Sequence, residues 1–201
     1  MTKSRQPFVR SMTFKAFVEA LEVLPREKRQ AIFRAVPFDT FRGLSISGPM
    51  AWSRMESLAA LADVAHRELG PDGFRRFWLR GTERSLRAPP MIDAVQRAMH
   101  LFRGATKPVL ESAPYFLDLV SHRSGKLTVI DGDRPDCSVL RMSGVPDLFV
   151  QSEGYREGWR HAFNFILSVC DAHGNVRVEV DASLGQLDYI CNWSELKRGP
   201  K

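Results

Sequence analysis

The chain has 201 residues, 44% of them hydrophobic and 26% charged, the proportions of a soluble globular protein of one domain with or without a small helical extension. Cys137, Cys170 and Cys191 are odd in number and far apart, which excludes a disulfide framework and a zinc site of paired spacing, and a reduced, cytoplasmic protein is expected. No apolar run approaches a membrane span, no apolar signal core follows the first basic residues, and a net charge of +6 with pI about 9.5 leaves polyanionic partners open.

Residues 1–12, with Lys3, Arg5 and Arg10, read as a flexible basic leader. Thr13 is placed to cap a helix from Phe14 to Leu24, and Pro25 suits the first turn of a second helix through Val36, so residues 13–37 form two leading helices. The main domain is expected over 38–195, beginning with a turn-rich linker through Gly43, Ser45 and Pro49. From Ala51 to Leu69, Met55, Leu58, Ala62 and Ala65 recur at helical spacing, and Gly70-Pro-Asp-Gly73 breaks the run. Phe74, Phe77, Trp78 and Gly81 then occupy one side of a helix to Leu86, opposite a stripe of Arg76, Arg80, Arg84 and Arg87. After Ala88-Pro-Pro90 come a helix from Met91 to Phe102, a short one opened by Lys107-Pro108, and a helical piece ending near His122. Ser124-Gly125 closes the helical half.

Leu127, Val129 and Ile130 begin strand-like sequence, Asp131–Pro135 turns it, and Val139, Leu140 and Met142 continue in a second strand. Between Gly154 and Cys170, Tyr155, Trp159, Ala162, Phe163, Ile166 and Leu167 line one side of a helix whose stop is assigned to His173-Gly174. Val176, Val178 and Val180, then Leu187, Tyr189, Cys191 and Trp193, alternate as a hairpin about residues 182–185. Its apolar pattern pairs Asp181 with Gln186, Val180 with Leu187, Val178 with Tyr189 and Val176 with Cys191, which sets Glu179 against Asp188. Lys197, Arg198 and Lys201 lie in a basic tail over 196–201. The fold class is α+β: a helical N-terminal half packed on a C-terminal antiparallel sheet of β-β-α-β-β order.

Gly48-Pro-Met-Ala-Trp-Ser53, Gly154-x-x-x-Gly158 and a last strand closing on Trp193 resemble a large family of myxobacterial proteins. That family is similar in turn to the superfamily of haem nitric-oxide-binding domains, vinyl-reductase-like small-molecule-binding domains and TRAPP-type trafficking subunits. The resemblance implies a regulatory, ligand-binding or protein-docking module, often dimeric, and no chemistry. Its haem-binding relatives carry a proximal histidine before a proline turn, a place that His100 fits, and a Tyr-x-Ser-x-Arg clamp for which Leu140-Arg-Met-Ser-Gly144 is the counterpart. With the clamp missing, haem through His100 is not expected, and the chain is read as having no cofactor.

Trp78, Met99, His100, Phe102 and Phe116 are the candidates for an apolar ligand pocket, although a filled core is written with the same residue types. Arg76, Arg80, Arg84, Arg87, Gly154 and Gly158 are the candidates for an interaction surface, the glycines permitting close approach to the sheet or to another subunit. Asp131, Asp133 and Asp136 lack the terminal glutamate of a calcium loop, so no metal is expected, and Cys170, Cys191 and His173 read as packing residues. No nucleophile and base are paired, so no enzyme is expected. The function expected is regulatory: binding of a small apolar ligand or a protein partner, with a homodimer or docking module as the alternative. Nucleic acid is possible on charge but not favoured, because no aromatics interleave with the arginines.

Overall fold

The computed structural model describes residues 6–41, 44, 47–89, 91–102 and 105–195. Lys3, Arg5, Gly43, Ser45, Pro90 and the tail with Lys197, Arg198 and Lys201 lie outside the described residues. The end of the expected leader is ordered: β1 (Phe8–Arg10) runs directly into α1 (Ser11–Ala20), with Val9 buried. Two non-local pairings hold it. Phe8 lies opposite Arg54 in β2 (Trp52–Arg54) on one edge and opposite His122 in β3 (Ser121–His122) on the other. Thr13 is therefore no cap but a buried residue of α1, where its hydroxyl accepts a hydrogen bond from Ser85 at 3.0 Å. A 3-10 turn over Leu21–Val23 follows, and α2 (Arg26–Ala35) opens after Pro25 and buries Ile32.

The longest element is α3 (Met55–Arg87), which bends at Gly70, where φ is 66° and ψ is 176°. Glycine takes that conformation without a Cβ clash, and Pro71 then restarts the helix, so the expected break is a kink rather than a loop. Met55, Leu58, Ala62 and Ala65 before the kink and Phe74, Phe77 and Trp78 after it are all buried. Three shorter helices complete this half: α4 (Met91–Leu101), α5 (Thr106–Glu111) and α6 (Ala113–Val120).

β4 (Lys126–Asp131), β5 (Cys137–Ser143), β6 (Ala172–Asp181) and β7 (Gln186–Glu195) make an antiparallel sheet in the order β4-β5-β7-β6. A short helix α7 (Asp147–Gln151) leads into α8 (Glu153–Val169), which packs on the β6–β7 side of the sheet. The β6–β7 register is the one written by the valines, with Val176, Val178 and Val180 opposite Cys191, Tyr189 and Leu187. Glu179 does face Asp188, and Arg141 of β5 resolves the conflict by donating from Nε and Nη2 to the Asp188 carboxylate at 2.9 and 2.7 Å. The left-handed residue after α8 is Asp171 (φ 56°), not Gly174, which pairs with Trp193 inside β6. Residues of both halves share one continuous core, as the α+β reading requires: Phe14, Phe74 and Leu110 join Leu140, Phe163 and Tyr189.

Candidate functional site

The helical half meets α8 along a tight crossing with α3. A Cβ on Gly154 would sit inside the backbone of Ala62, and one on Gly158 would enter the indole of Trp78. Both glycines are buried within the chain, so they do not belong to an exposed interaction surface; the close approach they allow is intramolecular. Asp63 of α3 locks the crossing by accepting from the Ser152 hydroxyl and the Gly154 N–H, each at 2.8 Å. Ser152 also caps α8, accepting from the Tyr155 N–H at 3.1 Å. The Ser152 cap was open to sequence reasoning, whereas nothing local marks Asp63.

Beyond the crossing the two halves diverge and leave a cavity of about 390 Å³, within the roughly 300–1,000 Å³ of small-molecule sites. Its walls are Phe17 of α1, Met55 and Trp78 of α3, Met91, Val95 and Met99 of α4, Phe116 of α6, and Trp159, Phe163 and Ile166 of α8. Trp78, Met99 and Phe116 were expected here. His100 and Phe102 do not line the cavity, because α4 turns Met91, Val95 and Met99 inward at helical spacing and so carries His100 to its exposed side. Leu101 beside it is 73% exposed.

The polar groups in the wall are mostly spent. Ser85 donates to Thr13, and Ser121 donates to the Leu117 carbonyl at 2.9 Å. Polar and charged groups collect at the rim, where Thr82 and the ion pair of Glu83 with Arg87 end α3 and Gln96 of α4 joins the lining. The rest of the arginine stripe points elsewhere: Arg76 and Arg80 are exposed, and Arg84 pairs with Glu19 at 3.3 Å.

Behind the cavity wall, Tyr155 and Tyr189 are fully buried; the Tyr189 hydroxyl has no hydrogen-bond partner, and the one polar side chain acting on the Tyr155 hydroxyl is the Trp159 indole. Burial pushes both phenols well above their ordinary range, with the neighbouring Trp159 indole opposing the shift at Tyr155. His161, which the sequence reading passed over, is buried on α8 against Phe74. Desolvation, reinforced by Arg160, pulls its pKa from 6.5 down to about 4. Burial drives the Cys191 thiol up to about 12, the state of an inert packing cysteine. Asp131 pairs with Lys107 at 2.7 Å and Asp136 with Arg134 at 3.3 Å, and no group of three metal-ligating side chains occurs among the described residues. Among the same residues no helix is long and apolar enough to cross a membrane.

No protein-family model matches the chain, and no curated protein does. Solved structures do match over almost its whole length. An H-NOX protein from K. algicida, in an Fe(II) unliganded form, aligns at TM-score 0.60 and 8% identity over 95% of this chain and 100% of that one. An oxygen-binding H-NOX domain related to soluble guanylate cyclases, an oxygen complex, aligns at 0.56 and 9% over 96% and 98%. A structure described as probing haem distortion in the H-NOX family gives 0.54 and 8% over 96% and 99%. The fold is that of H-NOX domains.

These matches correct the expectation of a chain without cofactor, since solved structures of this fold are described by ferrous iron, bound oxygen and haem. Among the described residues no histidine, cysteine or tyrosine lines the cavity, and His100 faces away from it. The residues lining the cavity therefore do not supply the axial nitrogen for which His100 was the candidate.

Proposed function

We propose that this chain is a non-enzymatic regulatory domain whose cavity takes a small apolar ligand and whose occupancy is read by a protein partner. The observation that carries the reading is the apolar cavity itself, built from both halves of the chain between α4 and α8. Of α4 only Met91 is buried, so the remaining apolar face of this helix is directed at the cavity rather than at a filled core. A ligand there supplies the contact atoms that this face lacks and shifts α4 toward one position. A partner on the outer side of α4, where His100 and Leu101 are exposed, would read that ordering. The same proposal includes a cytoplasmic setting, which keeps the buried thiols reduced. It also includes kinship with the myxobacterial family through Gly48-Pro-x-x-Trp52 and Gly154-x-x-x-Gly158.

Native mass spectrometry of the chain as purified is expected to show one small-molecule adduct per chain, released on denaturation. A chain that carries nothing, and whose Trp78 and Trp159 fluorescence responds to no apolar compound, would contradict the reading. Haem belongs in the panel because of the fold. Its absorption spectrum in the presence of the protein is expected to be the same for the parent and for His100→Ala, and a change on that substitution would put His100 on the iron.

A further inference from the structure

We propose that the cavity's ligand is an amphiphilic monocarboxylate, its apolar chain held between α4 and α8 and its carboxylate replacing Glu83 on Arg87. This rests on the reading of the cavity as a ligand site and names the chemical class that the site selects.

The interior dictates the body of the ligand. The lining there is almost wholly apolar, and the Ser85 and Ser121 hydroxyls already donate within the protein, so a polar group placed between Trp78, Met99 and Phe163 loses its water for few partners in return. The rim dictates the head. Arg87 is the one basic side chain among the described lining residues, and it sits where the cavity meets solvent, with its side chain 73% exposed. Its present partner is Glu83, one helical turn back, at 2.6 Å. Such an exposed pair on one helix is worth little, so a second carboxylate that is also anchored by its chain can exchange for it. The guanidinium takes a carboxylate through two parallel N–H bonds, a geometry that neither an alcohol nor a cationic head can use. Arg84, a turn away, is paired with Glu19 and does not line the cavity. Thr82 and Gln96 add further hydrogen-bonding groups where α3 gives way to α4.

The full chain would be titrated at neutral pH with decanoate, decanol and decyltrimethylammonium, following Trp78 and Trp159 fluorescence. Decanoate is expected to bind about fivefold or more tightly than decanol, with the ammonium weakest, and the preference should shrink in about 0.5 M salt. Arg87→Gln should bring decanoate down to the affinity of decanol, and Glu83→Gln, which removes the competitor, should raise decanoate affinity about twofold to threefold. Equal binding of decanoate and decanol by the parent, or a preference that survives Arg87→Gln, would overturn the assignment of the head while leaving the apolar cavity standing. Failure of all three compounds to bind would overturn the assignment and the cavity reading together.

Discussion

His161 shows how one side chain couples the fold to pH. Its ring faces Phe74 and His66 on α3, with Arg75 from the same helix and Glu157 and Arg160 from its own helix nearby. Its folded pKa of about 4 lies below the ordinary 6.5, so between those values the unfolded chain binds a proton that the folded chain does not. Stability is therefore full above pH 6.5 and is lost progressively as pH falls toward 4. Melting temperature measured against pH should fall less steeply through that window for His161→Gln, and parallel profiles would show that the ring titrates normally. The buried phenol of Tyr189 gives a second residue-level expectation: removing a hydroxyl without a partner leaves stability within about 0.5 kcal/mol or raises it, so Tyr189→Phe should melt no lower than the parent. A clear loss would reveal a partner for that hydroxyl. Tyr189 was legible as a core residue from its place in the alternating run, and so was its pairing with Val178. His161 was not, because what buries it comes from α3, a distant part of the chain.

At the scale of elements, the α3–α8 crossing is the joint on which the site depends. Asp63→Ala leaves the Ser152 hydroxyl and the Gly154 N–H without their acceptor, and equilibrium unfolding in urea should show a loss of about 1–3 kcal/mol. Asp63→Asn keeps one acceptor oxygen and should lose less; an alanine variant as stable as the parent would mean that the glycine contacts alone hold the crossing. Helices with sustained periodicity were readable in place, α8 and both arms of α3 included, since one apolar face repeats over several turns. The three-residue strands β1 and β2 were not. They are too short for an alternating pattern to show, and only the pairing of Phe8 with Arg54 and His122, far along the chain, makes them strands. Gly154-x-x-x-Gly158 was legible as a close-approach motif, but the surface it approaches belongs to this same chain.

Over the whole molecule, a helical layer and a sheet joined through α8 leave a space between α4 and α8 that neither fills. Composition could not separate this from a packed interior, because Trp78, Met99 and Phe116 serve a wall or a core equally well. A rotation of one residue along α4 decides between Met99 and His100, and an eleven-residue amphipathic stretch sets that rotation only when its partner surface is known. The central claim, an apolar ligand between α4 and α8, is tested most directly by titrating decanol into the parent and into Ala162→Phe, whose added ring takes up space from the α8 wall. Binding to the parent, seen in Trp78 and Trp159 fluorescence at one equivalent per chain, and its loss in a variant that melts no lower than the parent, is the predicted result. Unchanged binding by Ala162→Phe, or no response from the parent at all, would contradict it.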